Sequence, residues 1–324
     1  METIFKKIMI TVLLTAIVLS LAACSNNKKE IAAENTLKKT IKIAYLPITH
    51  ALPLFVENDL PKNSFKNTNI ELVKFGSWPE LMDALNTGKV DGASVLIELA
   101  MKAKEQGIDL KAVALGHREG NVIIVSNDIK SVADLRGKSF AIPSKLSTHN
   151  ILLYKMLKNA GIDYGVVKVV ELPPAEMPAA LSEGRISGYV VAEPFGAKSV
   201  VINKGKVLFK SEDLWKDSVC CGLVLRSEFI KNNKNTAQEF VKEYMKAGAR
   251  AEVKDTQINL IASKYMKVDK NVLDLSLKWI SYLDLKLNVK DYDELRKNLI
   301  EMNLSKNPPK YKDFVENSLI DEAK

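Results

Sequence analysis

Two hydrophobic periods alternate along this chain. From Ile41 onward, short β-branched runs alternate with helical patterns of about 10–15 residues, as expected for βαβ units around a parallel sheet. The runs predict strands at Ile41–Leu46, Ile70–Phe75, Val90–Val95, Leu110–Leu115, Val122–Val125, Ser139–Ile142, Val166–Leu172, Ile186–Val191 and Val219–Leu225. The spacing predicts a helix over 148–160, with Leu153, Met156, Leu157 and Ala160 on one face. It predicts another over 236–252, with Phe240, Tyr244, Gly248 and Ala251 aligned. Ser77-Trp78-Pro79-Glu80, Ser131-Val132-Ala133-Asp134 and Asn235-Thr236-Ala237-Gln238 have capping-box spacing, and Gly137 reads as a helix stop. Beyond Leu225 the pattern is helical only: 236–252, 256–266, 270–278 and 292–302. An α/β body with a helical last third points to two α/β lobes, the last helices packing back on the first. No internal repeat or low-complexity segment interrupts it.

The first 24 residues obey a different logic. Lys6 and Lys7 form a basic start, Ile8 to Ala23 is almost unbroken apolar sequence, and Leu21-Ala22-Ala23-Cys24 closes it. A basic start, an apolar core and small residues make an export signal. The Leu-Ala-Ala-Cys ending resembles a bacterial lipobox. In that class of signal, cleavage makes Cys24 the new N-terminus and leaves it carrying a diacylglycerol. The chain then divides into a signal peptide (1–23) and a polar, lysine-rich flexible tether (24–39) ahead of the fold. The implied location is the outer face of the cell membrane.

Composition narrows the classes further. With 324 residues, 47% hydrophobic and 27% charged, the chain has room for two cored domains and is neither disordered nor fibrous. Three cysteines are too few for a disulfide scaffold. The net charge of +8 comes from scattered lysines that are not interleaved with aromatics. That suits an anionic surface or small anionic ligand and excludes a nucleic-acid footprint.

The ordered stretches IKIAYLPITHALPLF, GSWPELMDALNTGKVDGASV, DLRGKSFAIP, STHNILLYKMLKNAGID, ELPPAEMPAALSEGRISGYVVAEPF and CCGLVLRSEFI carry a family likeness from Ile41 to Phe229. Together they resemble the substrate-binding lipoproteins of ABC importers in the nitrate/sulfonate/bicarbonate (taurine-type) group. The resemblance implies a two-lobe, type II-like periplasmic-binding-protein fold with a hinge and a helical C-terminal tail. Lobe 1 would comprise 40–124 and 219–324, and lobe 2 would comprise 125–218. It implies a monomer that captures a small, anionic ligand and serves a membrane permease and its ATPase subunit.

Ligands in open α/β sheets bind beyond the carboxyl ends of the strands. The loops there hold Thr49 and His50; Ser77 and Trp78; Ser94; His117 and Asn121; Ser147, Thr148 and His149; and Glu193. Ser147-Thr148-His149 opens a helix, where free N–H groups and partial positive charge favour an anion. By resemblance, the histidine here contacts the anion in nitrate-binding relatives and Trp78 walls the cleft. Glu193 reads either as a ligand acceptor or as a helix cap, and Asp91 as structural. Cys221, beside Cys220, reads as buried apolar filler or as a ligand-lining thiol.

The chain has only three histidines, and all of them follow predicted strands. Neutral imidazoles would suit zinc or copper. Protonated ones pairing with an anion explain the set equally well. With no histidine-rich loop and no supporting carboxylate spacing, the expectation is no metal and no cofactor. G-x-S-x-G, H-E-x-x-H, phosphate-loop and G-x-G-x-x-G motifs are absent, so no catalytic residue is assigned and a binding protein is expected. The rival readings are a receptor for a pyrimidine or thiamine-precursor heterocycle stacked on Trp78, an enzyme on the same fold, or an adhesin.

Overall fold

The computed structural model describes residues 38–59, 65–66 and 68–321. The expected export signal, Cys24 and most of the tether lie outside them. No helix among the described residues is long and apolar enough to cross a membrane.

Among the described residues twelve strands form: β1 (Lys39–Tyr45), β2 (Thr68–Lys74), β3 (Gly92–Leu96), β4 (Leu110–Leu115), β5 (Arg118–Glu119), β6 (Asn121–Val125), β7 (Ser139–Ile142), β8 (Lys168–Glu171), β9 (Gly188–Ala192), β10 (Lys206–Lys210), β11 (Cys221–Arg226) and β12 (Ile280–Ser281). One five-stranded sheet runs β2-β1-β3-β11-β4 and the other β10-β6-β9-β7-β8, while β5 and β12 pair alone. In the first sheet, β1 lies parallel to β2 and β3, and β11 enters antiparallel between β3 and β4. In the second, β7 lies parallel to β8 and β9, and β6 runs antiparallel to β9 and β10.

Every residue of β3, β6 and β9 is buried, as in sheets covered by helices on both faces. The pleat of β6 sends Ile123 and Val125 into the main core and Val122 and Ile124 into a smaller core behind the second sheet. The smaller core also holds Met177, Leu181 and Tyr189.

Val122–Val125, expected where the chain leaves the first lobe, pairs within the second sheet. The edge strand Lys206–Lys210 had no strong sequence signal, because two lysines flank only three apolar residues and every position is half-buried. The Ser131 capping box forms. The one expected at Asn235 does not, because the helix starts at Lys234 behind Asn233 and leaves those residues inside its first turn. Ser77 occupies its N-cap position without a side-chain bond. Helix Thr148–Asn159 ends just before Ala160, which is exposed rather than packed.

The helical tail braces the first sheet. Helix Lys234–Glu252 packs on helix Leu52–Asn58 and buries Phe240, Tyr244, Gly248 and Ala251, as its spacing predicts. The Tyr244 hydroxyl donates to the Leu115 carbonyl at 3.2 Å, and the Tyr282 hydroxyl donates to the Thr49 carbonyl at 2.9 Å. Both bonds hold loops that leave β1 and β4.

Candidate functional site

The ends of β1, β4 and β11 converge because a glycine lets them. An ideal Cβ at Gly116 would lie 2.6 Å from the His50 carbonyl oxygen, so any larger residue would push these segments apart. His50 sits in a short 3-10 turn after β1, and His117 follows Gly116 at the end of β4. Cys220 and Cys221 lead into β11. From the second sheet's side, His149 enters on the first turn of helix Thr148–Asn159.

These residues meet in one buried cluster. The rings of His50 and His117 stack with centroids 3.5 Å apart, and the His149 ring lies parallel to His50 at 6.4 Å. His50 Nδ1 is 3.3 Å from Cys221 Sγ and 4.0 Å from Cys220 Sγ, and the two sulfurs are 4.0 Å apart. One donor atom from each of His50, His117, Cys220 and Cys221 falls within 4.8 Å of the other three. Cys220 Sγ also points at Asn121 Oδ1, 3.7 Å away.

The polar atoms here are short of partners. His50 Nε2, His117 Nε2, both nitrogens of His149, Asn121 Nδ2 and Glu98 Oε2 are buried without a hydrogen bond. Buried polar groups are usually satisfied, so a concentration of exceptions marks a place built for something else. His117 is the best-defined case. Its Nδ1 lies 2.6 Å from the Glu119 carbonyl, which can only accept, so Nδ1 carries the proton and Nε2 presents a lone pair.

Burial sets the charges. It lowers His50 well below the usual imidazole value, with His117 and His149 adding to the effect. It lowers His117 to about 4 and His149 to about 3. All three rings are therefore neutral near pH 7, contrary to the protonated form that an anion-pairing set requires. Burial raises Glu98 to about 8, keeping that carboxyl protonated, and it raises the Cys220 thiol.

The other expected site residues separate into three groups. Ser147 and Thr148 reach the seam between the sheets, but their hydroxyls are already engaged. Ser147 Oγ accepts from the Asn150 N–H and donates to the Ser144 carbonyl, and Thr148 Oγ1 contacts Glu98 and the Val219 carbonyl. Thr49 and Glu193 form a second tie across the seam, where the Thr49 N–H and hydroxyl donate to the Glu193 carbonyl at 2.8 and 3.1 Å. The Glu193 side chain accepts from the Ala197 N–H and the Ser276 hydroxyl, so it caps the following helix and anchors the tail. Ser94 is buried in β3 opposite Leu223. Asp91 accepts from the Lys42 N–H, as a structural residue would.

Ser77 and Trp78 lie elsewhere. They line a mostly apolar cavity of about 350 Å3 with Met82, Leu99, Pro143 and Leu172, between the two sheets and without a histidine in its wall. The Trp78 indole N–H is buried and unpartnered. Sequence reasoning left Glu98 and Cys220 off the site. The only signals for them were a carboxylate directly after an apolar strand and a cysteine beside one already chosen.

A family model described as NMT1-like matches residues 34–264. A ligand-binding component of an ABC-type import system from Staphylococcus aureus, solved with zinc bound, is 44% identical with a TM-score of 0.84, over 89% of this chain and 99% of that one. The periplasmic nitrate-binding protein NrtA from Synechocystis PCC 6803 shares the fold at 19% identity and a TM-score of 0.76, over 89% and 88% of the two chains. A putative aliphatic sulfonates-binding protein from Escherichia coli K12 is 28% identical over 188 residues, 57% of this chain and 58% of that protein. The chain spans between 35% and 58% of the length of the first curated relatives it matches.

Proposed function

Because the chain belongs to the NMT1-like family and has the periplasmic-binding-protein fold, we propose that it is the solute-binding component of an ABC import system. It takes a small solute at the buried histidine–cysteine cluster and delivers it to a permease driven by an ATPase subunit. It binds its solute and performs no reaction on it. The carrying observation is the meeting of His50, His117 and His149, drawn from both sheets, with unpartnered nitrogens at the seam.

In this reading the two sheets are the cores of two lobes that close as jaws; the first-lobe boundary expected at 124 moves to about 120, because β6 pairs in the second sheet, giving 40–120 with 219–324 and 121–218. A solute touching both jaws binds the closed form better and so drives closure. The Thr148–Glu98 and Thr49–Glu193 ties would be closed-state contacts. The chain works as a monomer, anchored through lipid on Cys24 at the outer membrane face. Cys24→Ala should release it from membranes; retention of that variant in the membrane fraction would refute the anchor.

The solutes named for the relatives are nitrate and sulfonates, and the zinc in the Staphylococcus aureus protein adds metal ions. The Trp78 cavity favours a second reading: a flat heterocycle, such as a pyrimidine or thiamine precursor, whose acceptor would meet the indole N–H. A thermal-shift screen with nitrate, bicarbonate, sulfonates, taurine, thiamine precursors, zinc and anaerobic Cu+ tests these together. A true solute raises Tm in step with ln(1 + [L]/Kd). No shift with any of them would overturn the receptor reading.

A further inference from the structure

We infer that His50, His117, Cys220 and Cys221 form a tetrahedral site for a thiophilic d10 metal ion, Zn2+ or Cu+, and that this ion is the solute carried; the inference rests on the receptor reading above.

Geometry comes first. Bond lengths of about 2.3 Å to sulfur and about 2.0–2.1 Å to nitrogen put the donors of a tetrahedral zinc site roughly 3.8 Å apart for S···S and roughly 3.6 Å for S···N. The separations here are 4.0 Å for Cys220 Sγ···Cys221 Sγ and 3.3 and 4.0 Å from His50 Nδ1 to the two sulfurs. All four donor atoms fit within a 4.8 Å span. Movements of a few tenths of an ångström bring His50 and the two sulfurs onto one ion, and the stacked His117 ring must turn to aim its Nε2 at the same point.

The surroundings have the form metal sites take. A ligating imidazole usually donates its other N–H to a backbone carbonyl or carboxylate, which fixes the tautomer and aims the free nitrogen. His117 makes that bond to Glu119, and its Nε2 is buried without a partner.

Charge then decides between a metal and an oxyanion. Two thiolates and two neutral imidazoles offset a Zn2+, so the zinc-filled site is neutral and avoids the large cost of an isolated buried charge, whereas Cu+ leaves it at −1. Binding releases two thiol protons: Zn2+ + 2 Cys–SH gives Zn(S–Cys)2 + 2 H+. An oxyanion would find no such balance. The nearby cation, Arg118, points its guanidinium to Asp291 at 2.8 Å and to the carbonyls of Asp284 and Lys286. The hydroxyls of Ser147 and Thr148 are engaged. All four donors belong to the first sheet's side, while His149 faces them from the second.

The test uses the full chain, reduced and stripped with a chelator. Co2+ titration should saturate at one equivalent with sulfur-to-cobalt charge transfer and the visible bands of tetrahedral cobalt, and Zn2+ should displace it with release of two protons. X-ray absorption of the zinc form should show two sulfur and two nitrogen neighbours, which needs no variant to fold. Cys221→Ser and His117→Gln should each weaken zinc by more than the roughly 100-fold typical for losing an outer-shell partner. Competition between Zn2+ and anaerobic Cu+ identifies which ion prevails. Octahedral cobalt without charge transfer, or wild-type zinc affinity in both ligand variants, overturns the inference. If an anion or heterocycle shifts Tm and neither metal does, this inference falls and the receptor reading stands. If nothing shifts Tm, both fall.

Discussion

Glu193→Gln should remove a stability penalty that grows with pH. The Glu193 carboxyl is fully enclosed, and burial raises it from 4.5 to about 7 despite bonds from Ala197 N–H and Ser276. Between those values the unfolded chain has given up its proton while the folded protein retains it. The contribution to stability is therefore complete below pH 4.5 and is lost as pH climbs to about 7. At about 1.4 kcal/mol per pH unit, the loss reaches roughly 3 kcal/mol by pH 8. Glutamine still accepts from Ala197 and Ser276 but has no proton to lose. Urea unfolding followed by circular dichroism at pH 4.5 and 8 measures the difference. The variant should gain about 3 kcal/mol on the wild type between the two, at unchanged m-value. An equal gap at both pH values would show that Glu193 does not hold a proton in the fold.

Three further outcomes are expected. Gly116→Ala should destabilise by about 1–3 kcal/mol, because its methyl group meets the His50 carbonyl; a stability equal to wild type would mean that the β1 and β4 ends are free to separate. Thr148→Val should cost about 1–3 kcal/mol by stranding Glu98 and the Val219 carbonyl, read as a fall in urea midpoint. His149→Ala should weaken binding of the true solute by about 1–3 kcal/mol in calorimetry, and unchanged affinity would remove His149 from the site.

The sequence made the strands readable wherever β-branched runs stood between polar helices, as in Val122–Val125 and Ile41–Leu46, because their burial pattern is local. It hid β10, whose apolar residues are too few and whose edge position depends on β6. The three histidines were visible as residues following strands, and the structure draws them together. Their charge state was not visible. An imidazole at the end of a strand looks protonatable until both sheets have covered it, and only that covering turns an anion-pairing set into neutral donors. Where Trp78 opens was not visible either: loops after neighbouring strands need not open into the same cavity, and its cavity has no histidine in its wall.

The placement of β11 imposes an order on how the molecule is built. β4 reaches the rest of its sheet only through β11, and β11 is separated from β4 by the entire second sheet. A chain being synthesised therefore has 121–210 ready to fold as a contiguous unit while β4 waits for β11. A released chain truncated near residue 215 should resist protease between 121 and 210 and stay cleavable around β4. Extending the chain past Arg226 should protect both, and with them assemble the cysteine pair against His50.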